Sequence, residues 1–290
     1  MALIIAIGIA TGCVYALVAV GYSLIYRTTA VVNFAQGSYV MVGGFSTWWF
    51  FSVARLPYAV SILLGVLAAT ATGLLLWVLV VLPLWRRRSP SYVVLLATII
   101  FGAIVSTAAL IVLGPMPQTL PPWLPGFAVD FQGNHIDGQY IIVAVATIAM
   151  MALFSAVLRY TTLGRAMRAC AASRETSQLL GISLERVGAI AFAVTAMLGG
   201  LGGAMITPAQ FTSADAGLAY GVFGFVAAVL GGFGSLPGAL LGGLLLGIVN
   251  ALVGRYVSSS YQTVISFAIL LALLAVRPQG LIGSQWEESH

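Results

Sequence analysis

The sequence predicts an all-α fold: a polytopic transmembrane helical bundle of about eight to ten spans, with short or broken glycine-rich segments. Three observations predict it. Of 290 residues, 61% are hydrophobic and only 7% charged, against about 25% charged in a soluble domain; a water-facing surface could not be covered. The apolar runs are about 20 residues long, which crosses the hydrocarbon layer at 1.5 Å per residue. They lack the alternation over about 10 residues that marks barrel strands.

Nine apolar segments follow in order, at 3–25, 33–53, 57–84, 91–113, 139–158, 187–206, 218–233, 238–254 and 260–276. The first has no basic residue before it and no A-x-A site after it, so it reads as a retained helix rather than a cleaved signal peptide. Segments seven and eight are short and broken by glycine, so one of them is a candidate re-entrant segment. The count is then eight, or ten if the long third segment hides a break. Residues 1–290 form a single transmembrane domain.

Orientation follows from arginine, because basic residues resist translocation. With loop 159–186 in the cytoplasm and the segments alternating, Arg27, Arg86, Arg87, Arg88, Arg159, Arg165, Arg168, Arg174, Arg186 and Arg277 all lie inside. Only Arg55 and Arg255 lie outside. The N-terminus is then external and the C-terminus cytoplasmic. Loop 114–138 is external. Its prolines exclude a helix through its first half, and "FAVDFQGNHI" has the pattern of a short hairpin around its glycine. Asp130, His135 and Asp137 read better as solvated loop residues than as a metal site.

Several chemistries are excluded. The chain has no lysine, so it cannot carry the GxxxxGK[ST] phosphate loop of that ATPase class. Cys13 and Cys170 are far apart and show neither disulfide framework nor metal spacing. Asp130, Asp137 and Asp215 fall in external loops on this reading, Glu175 and Glu185 in the cytoplasm, and Glu287 and Glu288 in the tail. An ion-coupled carrier buries an acid at mid-depth, and none is visible. No nucleophile–base set or paired carboxylates lie within the segments. The chain reads as a passage that supplies no energy of its own.

Two stretches are candidates to line that passage. "NFAQGSYVMVGG" sets Asn33, Gln36 and Gly37 at a helix start. "LGGFGSLPGALLGG" contributes Gly231, Gly232 and Gly234 between segments seven and eight. Interrupted backbone at membrane depth is tolerated only where protein or a cavity satisfies it, and such breaks point to translocation sites. The plainer readings are a surface N-cap for Asn33 and a tight cytoplasmic turn for 231–238. The pairs Gly199/Gly203, Gly217/Gly221, Gly238/Gly242 and Gly243/Gly247 have the small-xxx-small spacing of close helix packing; some are candidates for gating seams or a dimer interface.

Residues 161–187, "TTLGRAMRACAASRETSQLLGISLERV", hold six charges in an otherwise apolar chain. Arg165, Arg168 and Glu175 are spaced three and seven apart and predict one helical face. The alanines favour helix, Gly181 stops it, and Ser183 caps the next helix with Glu185 in its first turn.

"ETSQLLG", Glu175 to Gly181, resembles the E-A-A-x-x-x-G loop of ABC importer permeases, with Thr176 and Ser177 in place of two alanines. "GCVYALVAVGYSLIYRTTAVVNFAQGSYVMVGGF", "LGRAMRACAASRETSQLLGIS" and "VAAVLGGFGSLPGALLGGLLLGIVNAL" are similar, in order and over nearly the whole chain, to the signature stretches of branched-chain amino acid permeases. The resemblance implies a bacterial inner-membrane subunit that is not itself an enzyme. It implies a second, related permease (giving a heterodimer), two cytoplasmic ATPase subunits that bind the ATP, and an external solute-binding protein. The chain itself needs no cofactor. The resemblance also implies that Arg165, Arg168, Arg174, Glu175 and Gly181 belong to the loop that couples to the ATPase. Related permeases serve urea and short amides. The competing readings are a stand-alone secondary carrier or channel, and a membrane scaffold without transport.

Overall fold

The computed structural model describes residues 1–124, 126–131 and 134–282. The tip of the expected hairpin, the side chains at 130 and 135, and Glu287 and Glu288 lie outside the described residues.

The chain begins with α1 (Ala2–Thr29), whose 28 residues make a rod of about 42 Å. It ends where Ala30 turns left-handed at φ 53° and donates its N–H to the Tyr26 carbonyl at 2.8 Å. The next residues run without helix back into the bundle. Helix α2 (Gln36–Trp48) continues through a π-helical turn, Trp49–Val53. Helix α3 (Tyr58–Leu76) passes through a second π turn, Trp77–Val81, into α4 (Leu82–Arg86). Then come α5 (Ser91–Leu113), a hairpin of β1 (Ala128–Phe131) and β2 (Asn134–Asp137), and α6 (Gly138–Tyr160). The hairpin register pairs Ala128 with Asp137 and Phe131 with Asn134. The Asp137 carboxylate caps α6, accepting from Gln139 N–H at 2.9 Å. Two short helices, α7 (Thr162–Ala172) and α8 (Arg174–Leu179), precede α9 (Leu184–Ile206). Helices α10 (Ala216–Gly231), α11 (Leu236–Tyr256) and α12 (Gln262–Val276) complete the bundle.

Among the described residues, seven helices are long and apolar enough to cross a membrane, and α10 is a shorter apolar helix. Of the two segments expected to be short, segment seven forms the 16-residue α10. Segment eight forms the full-length α11. A further break lies in segment two: residues 30–35 are non-helical, and α2 starts inside the bundle, where the Gln36 amide donates to the carbonyl of Thr195 midway along α9. The third segment bends through its π turn without interruption.

Hydrogen bonds fix which elements share an end. Gly234 N–H donates to Ser23 Oγ at 3.1 Å, Arg86 meets Glu185, Arg168 reaches the carbonyls that end α6, and Leu281 N–H donates to Leu230 O at 2.9 Å. The ends of α1, α4, α6, α10 and α12 therefore gather with the starts of α9 and α11. Arg55 and Arg255 lie at the opposite end, where the Tyr256 hydroxyl sits 2.9 Å from the Met1 sulfur and Tyr58 donates to Pro121 O.

Backbone contact between small residues holds the centre. A Cβ on Gly12 would stand 2.7 Å from the Gly243 carbonyl, and one on Gly203 would overlap the Val40 carbonyl. These close approaches lock α1 to α11 and α2 to α9 by packing, as lipid requires. Each of the four glycine pairs faces a neighbour within this chain. Packing inside the bundle accounts for them.

Candidate translocation groove and coupling loop

The re-entrant stretch is built so that its backbone stays satisfied. Asn33 Oδ1 accepts from Ala35 N–H and its Nδ2 donates to the Tyr39 hydroxyl, both at 3.0 Å. Phe34 N–H donates to Thr98 Oγ1 on α5 at 3.1 Å. Non-helical backbone at this depth survives only with such partners. Asn33 is fully buried, and the residue at the N-cap of α2 is Ala35, so Asn33 is no surface cap. Its side chain makes an Asx turn one step earlier. Gln36 is fully buried beneath Gly21, and among the described residues its Oε1 has no hydrogen-bond partner. Gly37 lets α2 touch the backbone of α10 at Gly217 and Gly221.

Above this start, α2, α5 and α10 enclose a groove of about 460 Å³. Its walls are mainly apolar, from Phe34 and Ile99 to Leu218 and Val222, with hydroxyls from Ser38, Ser106 and Thr107. Among the described residues, one charged residue lines it, Asp215. Asp215 lies in the loop between α9 and α10, as the sequence suggested, and is the N-cap residue of α10; there it lines the groove together with Ser106 and Thr107 of α5. Asp215 occupies a position where aspartate normally caps, yet its carboxylate makes no cap bond.

Gly231, Gly232 and Gly234 lie apart from this groove. They form the turn between α10 and α11 at the arginine-rich end, with φ of 99° at Gly232 and 95° at Gly234. Gly231 packs against Gly238, backbone to backbone.

The charged loop forms two helices, where the spacing predicted one. Thr161 caps α7, accepting from Gly164 N–H at 3.1 Å. Gly164, Met167 and Cys170 are buried, one inward face at three-residue spacing. Ser173 then turns extended, φ −156°, and caps α8 through Thr176 N–H. This break separates Arg165 and Arg168 from Glu175, so the three share no single helical face. Arg168 is recruited to the last carbonyls of α6, those of Leu158 and Arg159. Arg174 is half-buried, Arg165 and Glu175 exposed.

Gly181 stops α8 at φ +77°; its N–H donates to Gln178 O at 2.9 Å, and Ile182 N–H donates to Ser177 O at 3.0 Å. That pair of bonds is a Schellman motif. Ser183 then caps α9 through Arg186 N–H. Two features were missed from sequence. Leu179 and Leu180 are 88% and 73% exposed, although the arginines around them mark a water-facing end. Arg86 and Glu185 pair across 99 positions of sequence. The double leucine could have been noticed beside Gly181; the ion pair had no local signal.

A helical bundle whose second helix starts inside the bundle, with a lateral groove and a capped two-helix loop at its arginine-rich end, has the architecture of a polytopic membrane permease. Its residues 4–274 match the family described as branched-chain amino acid transport system / permease component, and the chain belongs to that family. It is 32% identical to the high-affinity branched-chain amino acid transport system permease protein LivH of Salmonella typhimurium, covering 95% of this chain and 93% of that one. It is 30% identical to the corresponding protein BraD of Pseudomonas aeruginosa, over 95% and 94% of the two chains. A probable LivH of Methanocaldococcus jannaschii is 29% identical over 94% of this chain and 89% of its own. No solved structure matches significantly. The chain is thus a permease of the ABC importer type.

Proposed function

We propose that this chain moves branched-chain or other hydrophobic amino acids across the bacterial inner membrane, driven by ATPase subunits that dock on loop 159–186. The observation that carries the coupling part is the exposure of Leu179 and Leu180. Two leucines on a water-facing, tightly capped turn are an unpartnered apolar patch, the mark of a protein contact. They sit between the Ser173 break and the Schellman stop, so a push on α8 is passed to α9 over a few residues of fixed backbone. The arginine-rich end is the cytoplasmic one, since basic residues stay inside; the N-terminus is then external and the C-terminus cytoplasmic. The end bearing loop 114–138 is where a solute-binding protein delivers its cargo. The groove beside α5 has an open side, and a second, related permease closes it. ATP is bound by the partners, not by this chain.

The test is co-expression with candidate ATPase, permease and binding-protein subunits, followed by uptake of labelled leucine into proteoliposomes containing ATP. Leucine uptake that needs ATP and the loaded binding protein supports the reading. Uptake that persists without ATP and follows an ion gradient overturns it. Uptake of urea or acetamide in place of leucine overturns the substrate assignment alone.

A further inference from the structure

We infer that Asp215 is the residue in the groove that selects for an ammonium group, and that the aliphatic wall beside it receives the same solute's side chain. This rests on the proposed amino-acid transport and names the residue that reads the cargo.

Asp215 is exposed within the groove, and among the described residues no hydrogen bond or ion pair engages its carboxylate. With no partner of its own on a mainly apolar groove, this carboxylate is open to a charge-assisted hydrogen bond from a cation that enters it. Among the described residues of the groove, none supplies the cation: the others that line it are apolar or carry hydroxyls. Ser106 and Thr107 bring hydroxyls from the facing helix α5, able to accept from a second N–H. Ile99, Leu218 and Val222 form the apolar wall. The volume, about 460 Å³, falls in the range of small-molecule sites, which pair an apolar lining with a few placed polar groups. A small zwitterion with an aliphatic side chain fits both halves of this surface. A neutral amide fits only one half, and leaves the carboxylate unpaired.

The experiment uses the full complex with its ATPase, second permease and binding protein, reconstituted in proteoliposomes. Asp215→Asn should lower leucine uptake roughly tenfold at sub-saturating leucine, the scale of a charge-assisted hydrogen bond. Asp215→Glu should recover most of it. A second measurement reads the groove directly. In a Ser106→Cys variant, leucine and leucinamide should slow maleimide labelling, while 4-methylpentanoate, which lacks the ammonium, should not. Adding Asp215→Asn should abolish that protection. Co-purification of the partners reports whether each variant assembles. If the assembled Asp215→Asn complex transports leucine as the parent does, or if 4-methylpentanoate protects as well as leucine, the assignment of Asp215 is overturned while the transport reading stands. If the parent complex moves no leucine at all, the transport reading falls and takes this site with it.

Discussion

Arg86 and Glu185 meet in a two-point ion pair, Nε to Oε1 at 2.8 Å and Nη2 to Oε2 at 2.6 Å. The pair joins the last residue of α4 to the first turn of α9, immediately after the α8 stop. Both side chains are largely exposed, 62% and 44%, and exposed pairs add little to stability. Its fork geometry instead fixes position. Arg86→Glu should therefore leave the amount of folded protein unchanged and lower ATP-driven uptake several-fold. The swap Arg86→Glu with Glu185→Arg should restore at least half. Uptake in proteoliposomes for the single and double variants decides this; no recovery in the swap means the pair does not set the geometry of coupling.

The α8 loop gives the second expectation. Leu179→Asp with Leu180→Asp should abolish co-purification of the ATPase while the bundle still inserts, since both side chains point away from the core. Glu175→Arg with Gly181→Leu should uncouple hydrolysis from uptake. A leucine at the φ +77° of Gly181 costs about 1–2 kcal/mol, which loosens the Schellman stop. Normal ATPase binding and transport in both double variants would make the loop a solvated linker.

Asn33 and Gln36 are expected to behave differently from one another. Asn33→Leu removes a partner from the buried Tyr39 hydroxyl and from Ala35 N–H. It should lower thermal stability by about 1–3 kcal/mol and reduce uptake with it. In Gln36→Leu one amide oxygen was already unpartnered, so uptake should fall with a smaller loss of stability. Melting and uptake measured on the same preparations separate the two, and normal uptake in both variants would reduce "NFAQG" to a packing motif.

The α2–α9 seam offers a matched pair of substitutions one residue apart. A Cβ at Gly203 would overlap the Val40 carbonyl, whereas one at Gly202 would meet only the side-chain ends of Leu17 and Val14 on α1, tight at 3.3 and 3.4 Å but able to give by a few tenths of an ångström. Gly203→Ala should destabilise by about 1–3 kcal/mol, the scale of an overpacked core. Gly202→Ala should be close to neutral. Detergent-solubilised thermal melts compare them directly; equal effects would mean the seam relaxes.

Orientation is checked by reporter fusions. A reporter after Arg88 or within residues 165–180 should read cytoplasmic, and one at Gly126 external. An external signal from the 165–180 fusion would reverse the assignment of ends and remove the ATPase from this loop.

The sequence by itself determined the solvent of this protein and most of its elements. Low charge, apolar run length and the clustering of arginine are properties of single segments, so they survive without knowledge of the fold. Thr161, Ser183 and Gly181 act on their own neighbours, and of these the roles of Ser183 and Gly181 were legible from spacing. What tertiary structure decided was depth and partnership. That α2 starts midway through the bundle depends on Gln36 meeting Thr195 and on Phe34 meeting Thr98, contacts made far along the chain. Asp215 is the loop residue the sequence suggested; only the packing of α10 against α2 and α5 sets that end of the loop on a groove. The break at Ser173 was hidden by helix-favouring alanines on its N-terminal side, and is stabilised by the inward burial of Met167 and Cys170. Local chemistry sets where a segment can be helical; only contact between segments sets how deep it begins and what its side chains face.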